Sequence, residues 1–557
     1  MARKTPEIIE LDAKRVEELL RRAEERAFDA EDYQTIRMLV ESYACLTSML
    51  GDKNTTIARL RKLLFGAGTE KTAAVVGQAP PSCEEPDPAA QQAAEGDQKS
   101  PRKKGHGRNG ADAYAGAEKI DVPHDSLRAG DACPDCGDGT VYTMAPGVLV
   151  RIVGQAPLGA KVYQLHKLRC NLCGKVYTAP APEGVGSEKY DATAASMIAV
   201  LKYGSGLPFN RIEGLQGNLE IPLPAATQWE IVHAAAADIT PAYHELVRQA
   251  AQGELVQNDD TAVKILELMG KRARRRALLE GDGTTNKDGS HRTGLFTSGV
   301  VSTGDGQRIA LFFSGRQHAG ENLRDVLDER AQTLDPPIHM CDALSRNVPG
   351  ELATIMANCL AHARRNFVDV YDRFPDECRH VLEALKVVYK NDAEARQQKL
   401  SPQERLALHQ AETRPVMNEL RDWLKKQFDD HRVEPNSPLG GAIAYMLAHW
   451  DKLTLFLRQA GAPLDNNLCE RVLKKAILHR KNALFYKTQN GARVGDMYMS
   501  LIHTCELCGV GAFDYLTELQ RHAGELSTNS GHWMPWNYRE TSNRQERPRD
   551  SPCQSAV

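Results

Sequence analysis

The sequence predicts a multidomain α/β protein, and three observations carry that prediction. The chain runs to 557 residues, more than a single hydrophobic core organises. From residue 254 onward, short apolar runs with strand character alternate with helix-like periodicity. Ahead of that region lie a helical segment without glycine until Gly51 and a cysteine-bearing segment of short β-prone runs.

Residues 1–66 read as a coiled coil. From Ile36 the apolar positions step by three and four through Leu39, Tyr43, Leu46, Leu50, Ile57, Leu60 and Leu64, with Lys53 in the one polar slot. This is the a/d seam of a heptad repeat, and a lone polar seam residue fixes register or partner number. A helical hairpin packed on its own domain is the alternative. Residues 67–119 lose all periodicity and read as a linker. Within it Arg102, Lys103, Lys104, His106 and Arg108 form a basic cluster, either a solvated tether or an arm on nucleic-acid phosphates.

Residues 120–180 hold two CxxC pairs, Cys133/Cys136 and Cys170/Cys173, each followed by glycine. Two thiolates two residues apart reach one metal ion, and two such pairs complete a closed tetrahedral Zn2+ site. With β-prone runs between them, the pairs predict a structural zinc ribbon, against the alternative of two separate redox or buried pairs. A third pair, Cys505/Cys508, sits inside an apparent helix without a second pair nearby and reads as buried thiols.

Residues 181–250 read as short helices. LPFNRIEGLQGNLEIPLPAATQWEIV has the pattern helix, turn, helix, which is either a DNA-reading unit or a connector. In the core, 251–522, three successive strands are predicted at ELVQNDDTAVKILEL, GLFTSGVVST and QRIALFFSG, then a helix over 319–331 and a short buried strand at PIHMCDA. ELATIMANC and AHARRNFVDVYDRF read as helix. So do a large helical insertion at about 377–460, residues 464–485 and residues 496–522. The stretch 523–557 is polar and Pro-punctuated and reads as a loosely held tail.

The net charge of −3 excludes a protein that coats DNA by bulk charge, so any nucleic-acid binding rests on local basic patches. No stretch approaches the roughly 20 apolar residues of a membrane span. The N-terminus lacks the apolar region of a secretory signal. A cytoplasmic, nucleoid-associated location and no membrane partner are expected.

Three carboxylates stand where a fold can gather them. Asp259 lies within an apolar strand pattern, Asp342 ends another, and Glu470 follows the N-cap types Asp465, Asn466 and Asn467. A charge at a buried strand is costly unless a partner such as a metal ion offsets it. The helix with Glu470 also carries Arg471, Lys474 and Lys475, with Arg480 and Lys481 beyond: a basic strip suited to DNA, or an ordinary charged surface. In CLAHARRNF, Arg364 and Arg365 suit phosphate; His362 suits either phosphate or a buried hydrogen bond.

Together these segments resemble one family. RLRKLLFG, KKGHGR, the paired CxxC motifs, KYGSGLPFNR, QNDDT, FFSGRQHAGENL, HMCDA, CLAHARRNF, LDNNLCERVLKKAILHRKNALF, MYMSLIHTCELCGVGAFDYL and MPWN stand in the order of the insertion sequence 66 transposases, over nearly the whole chain. The resemblance implies a DDE transposase with an RNase H-like core. Asp259, Asp342 and Glu470 would then be the three acids, holding two Mg2+ or Mn2+ ions. The family usually has Asp-Glu-Thr where this chain has Asp259-Asp260-Thr261, so the first ligand is Asp259 or Asp260. Strand alternation sends only one of them into the site. The expected activity is phosphodiester hydrolysis and strand transfer at element ends, by a homo-oligomer paired through the coiled coil, with accessory proteins of the same element. The alternatives are a catalytically silent DNA-binding descendant and a metal-dependent nuclease without strand transfer.

Overall fold

The structure is a computed structural model. It describes residues 188–270 and 292–546 without a break, and shorter pieces at 21–22, 32–37 and between 126 and 186. Residues 21–22 and 32–37 are helical. The rest of the heptad seam, the linker 67–119 and all four cysteines of the CxxC pairs lie outside the described residues.

The chain divides into two compact units, residues 80–162 and the remainder. In the smaller unit, Ala132 and Thr140 form an antiparallel bridge on either side of the first cysteine pair. In the larger unit, β1 (Lys167–Arg169) and β2 (Val176–Thr178) pair antiparallel on either side of the second.

The larger unit is built on a five-stranded mixed sheet. Its strands are β3 (Leu255–Ala262), β4 (Phe296–Gly304), β5 (Gln307–Gly315), β6 (Ile338–Cys341) and β7 (Ile355–Asn358), in spatial order β5-β4-β3-β6-β7. β3, β4 and β5 form an antiparallel meander, and β6 and β7 continue parallel to β3. The three strands of the meander and β6 fall where their apolar runs predict them. The run IMAN does not: it is strand β7 rather than helix. Four residues are too few for periodicity to choose, and the free edge of β6 decides.

Helices cover the sheet. α1 (Ala192–Ala199), α2 (Phe209–Asn218) and α3 (Ala225–Ala251) precede it. α4 (Ala319–Leu327) links β5 to β6, and α5 (Leu360–Val370) follows β7. Then come α6 (Pro375–Gln397), α7 (Pro402–Leu408), α8 (Arg414–Asp429) and α9 (Pro438–Ala448). α10 (Asn467–Ala483), α11 (Gln489–Cys508), α12 (Ala512–Arg521) and α13 (Tyr538–Glu546) close the described chain. The helix-turn-helix pattern is real, but its second helix is one element of 27 residues rather than several short ones. The buried Gln228 amide pins the intervening turn by donating to Leu223 O at 2.8 Å and Phe209 O at 3.2 Å. Residues 523–546 are not a loose tail, since Trp533, Met534 and Tyr538 are all buried.

β5 is an edge strand, and its outward N–H groups need acceptors. α11 supplies them. Ala310, Phe312 and Ser314 donate their backbone N–H to Thr504 Oγ1 (3.0 Å), Ser500 Oγ (3.0 Å) and Asp496 Oδ2 (2.6 Å). Two residues of strand rise about 6.6 Å and four of helix about 6 Å, so the two ladders stay in step. This edge seal accounts for the burial of Ser500 and Thr504 within MYMSLIHTCELCGVG. Burial pushes the Asp496 carboxyl up to about 7. Cys505 is buried in the same helix and Cys508 partly so, with Gly509 ending it in the left-handed conformation.

The helical insertion packs on β6, β7 and α5, and one apolar core runs from Met340 and Phe367 through Leu382, Leu424 and Ile443. Its one deep carboxylate is met by two arginines and a histidine. Asp392 is 5% exposed and bonds Arg405, Arg396 and His409.

Candidate active site

The register of the sheet decides which acid faces where. Asp259 pairs across the antiparallel ladder with Gly299, and cross-strand partners share a face. A Cβ on Gly299 would lie 3.3 Å from Leu473 and 3.8 Å from Cys469, both on α10. Asp259 therefore points to the face that α10 covers, and the missing side chain at Gly299 lets that helix come close. Asp260 pairs with Ser298, which accepts from Asn322 of α4 on the opposite face. There Asp260 binds His318 Nδ1 at 3.0 Å and Arg346 at 3.2 Å, with a side chain 1% exposed. Asp260 is thus a paired, buried anion that braces α4 and the loop after β6.

β6 runs parallel to β3 with Gln257 opposite Met340, so continuing that register brings Asp342 level with Asp259. Asn347 Nδ2 and the Leu344 N–H both donate to Asp342 Oδ1, at 2.5 and 3.2 Å. Glu470 arrives on the first turn of α10, whose start is tied to β3. Asn466 Nδ2 donates to Asn258 O at 3.0 Å, and Gln257 Nε2 donates to Asn466 Oδ1 and Asp465 O at 3.3 Å. Asn466 occupies the N-cap position without capping; the Asp465 carboxylate takes the Asn467 N–H instead, at 3.1 Å.

The three acids meet electrostatically at Asp259. Burial raises its carboxyl, and against the pull of the Asp260 N–H the charges of Asp342, Asp260 and Glu470 raise it further, to about 7. No cationic side chain is among the main contributors to that shift. A polar brace lies beneath: Asn258 donates to Asn347 O at 2.8 Å and contacts His339 Nε2 at 2.9 Å. Burial pushes His339 down to about 4, so it is neutral at ordinary pH. Glu470 Oε1 is buried and has no hydrogen-bond partner; nor has His362 Nδ1, 3.8 Å away.

The predicted basic residues divide. Lys475 pairs with Glu506 of α11 at 2.9 Å. Arg480 donates to Thr261 Oγ1 at 3.0 Å and to Ala262 O, clamping the far half of α10 to β3. Arg471, Lys474 and Lys481 are exposed on the same helix. Arg364 and Arg365 lie on α5 close after His362. Sequence reasoning missed Asn347, His318 and Arg346, whose value comes only from the loops that deliver them. It took Asn466 for a cap, and the signal for more was an Asn pair where one cap suffices. A cavity of about 910 Å³ lies elsewhere, between α3, β5 and α11, with Arg316, Arg493 and Asp496 in its wall; the three clustered acids do not line it.

The family model for "Transposase IS66 family" matches residues 189–494, a span holding all three acids and every strand of the sheet. The chain belongs to the IS66 transposase family. Three proteins of Sinorhizobium fredii are similar, each described as uncharacterized. The protein y4jD is 33% identical over 188 residues, 33% of this chain and 36% of the relative. The protein y4hP is 25% identical over 433 residues, 74% of each. The protein y4qI is 25% identical over 354 residues, 61% of each. The chain therefore spans about a third of the first relative's length and about three quarters of the second's. Among the described residues no helix is long and apolar enough to cross a membrane.

Proposed function

We propose that this IS66 family member cuts and rejoins DNA at the ends of its insertion sequence, using a centre of Asp259, Asp342 and Glu470 on an RNase H-like core. The observation that carries this reading is the cluster itself. Three carboxylates from β3, the end of β6 and α10 crowd together until one is pushed to about 7, with an orphaned oxygen on another. Acids arranged only for stability gain cations, as Asp392 does; these suit divalent cations, and all-oxygen ligation suits Mg2+ or Mn2+. When bound, two such ions activate water for phosphodiester attack and stabilise the leaving oxygen.

The chain's own residues do the rest. Asn347 fixes the carboxylate plane of Asp342, and the Asn466 tether sets how far Glu470 stands from β3. His318 and Arg346 hold Asp260 away from the centre, which supports Asp259 as the first ligand. Arg471, Lys474 and Lys481 present charge for DNA phosphates beside Glu470, with His362, Arg364 and Arg365 on the neighbouring helix. Cys133, Cys136, Cys170 and Cys173 would hold one structural Zn2+ by their four-thiolate chemistry. The N-terminal heptads would pair two protomers on two DNA ends; sizing the full chain against one lacking residues 1–66 tests this, and an equal oligomer in both removes that role.

The deciding experiment is Mg2+- or Mn2+-dependent cleavage and strand transfer on labelled DNA with the element's ends, for wild type and Glu470→Gln. Loss in the variant with DNA binding kept supports the centre. Equal activity in both removes Glu470 from it. Cleavage without joining would mark a nuclease.

A further inference from the structure

Cys359, His362 and Glu470 each offer one donor atom, and these three atoms lie within 4.8 Å of one another. Two elements deliver them: Cys359 is the N-cap of α5, His362 stands in its first turn, and Glu470 is in the first turn of α10. Two of the donors lack hydrogen bonds: His362 Nδ1 and Glu470 Oε1 are shielded from solvent and face each other at 3.8 Å. The third, Cys359 Sγ, accepts the Asn466 backbone N–H at 3.3 Å. Outer hydrogen bonds of this kind steady the ligands of a metal site. A thiol, an imidazole and a carboxylate suit Zn2+ and its borderline relatives, whereas Mg2+ prefers oxygen alone.

We propose that Cys359, His362 and Glu470 form a site for one Zn2+-class cation that shares Glu470 with the Mg2+ centre, so that Zn2+ inhibits the enzyme by competing for that carboxylate. Binding breaks the Cys359 S–H bond, forms a metal–sulfur bond and releases the proton to water. Three protein donors leave the fourth tetrahedral position to solvent. The inhibition rests on the role proposed above for Glu470; the binding does not.

The test is Co2+ titrated into the full-length protein as isolated, with its own zinc retained. Wild type is expected to develop thiolate-to-cobalt charge-transfer absorption that saturates at one equivalent of thiolate-bound Co2+, apart from any Co2+ held by the three acids. Cys359→Ser is expected to lose that absorption. His362→Ala, at a more exposed position that guards against misfolding at the buried cysteine, is expected to weaken Co2+ binding by about tenfold or more. Far-UV circular dichroism confirms that both variants fold. No thiolate absorption in wild type, or the same absorption and affinity in both variants, overturns the site. In the Mg2+ cleavage assay, Cys359→Ser should need about tenfold more Zn2+ for half inhibition relative to its own uninhibited rate. Co2+ uptake as expected with cleavage indifferent to Zn2+ overturns the shared carboxylate and leaves the cation site standing. If no preparation cuts DNA, the proposal above fails and the Co2+ titration still decides the site.

Discussion

Asp259 and Asp392 are both carboxylates taken largely out of water, and the chain treats them in opposite ways. Burial alone would raise Asp392, but the His409 hydrogen bond and the Arg405 and Arg396 charges hold it below the usual carboxylate range. Burial also raises Asp259, and its neighbours are further acids, so it climbs to about 7. Two desolvated anions thus separate a scaffold from a site. In the helical insertion the charge is answered within the chain. On the sheet further acids surround it, as the proposed metal centre requires.

The largest effect should come from breaking the answered charge. Asp392→Ala strands Arg405 and His409, and should cost about 3 kcal/mol or more in urea unfolding. An unchanged midpoint would mean that the cations there find water instead. Removing the unanswered charge should do the reverse. Asp259→Asn is expected to stabilise the protein by about 2 kcal/mol near pH 8 without divalent ions. The signs differ with pH as well. Asp259, raised when folded, favours the fold below its unfolded value of 3.8 and loses that contribution as pH climbs through about 7. The advantage of the Asn variant should therefore shrink below pH 7 and close near pH 4. Asp392, lowered when folded, contributes above 3.8 and fails only as pH drops below it. Melting curves across pH for the two variants read both trends, and parallel curves would erase the distinction.

A smaller effect concerns what binds. Saturating Mg2+ should raise the melting temperature of wild type, and raise that of Asp259→Asn less, because a ligand stabilises only the state that holds it. An equal rise in both would place the ion elsewhere. The smallest concerns DNA. Arg471→Ala or Lys474→Ala should lower the slope of log affinity against log salt by about 0.9 each, one phosphate contact apiece. Lys475→Ala should change it less, since Glu506 already engages that ammonium. A slope that responds most to Lys475 would invert the division of the strip.

Much of the core was legible because its signals are local. The meander strands and β6 show themselves as apolar runs, and Gly299 lies in one of them. Asp259 against Asp260 was not legible, because residues one apart differ only by face and the face depends on pairing with β4. β7 was misread because a four-residue run becomes a strand only when a neighbour offers hydrogen bonds. The edge seal was hidden too: Asp496, Ser500 and Thr504 follow ordinary helical spacing, and nothing marks that a strand lies against them. The C-terminal stretch looked loose because its polar residues outnumber Trp533, Met534 and Tyr538, which do the anchoring.

The tether at Asn466 has a consequence for synthesis. The three acids leave the ribosome at positions 259, 342 and 470, and the last is set in place by a hydrogen bond back to Asn258. A nascent or prematurely ended chain that stops before α10 has β3 and β6 but not the third carboxylate, so the proposed centre cannot assemble until α10 has been made.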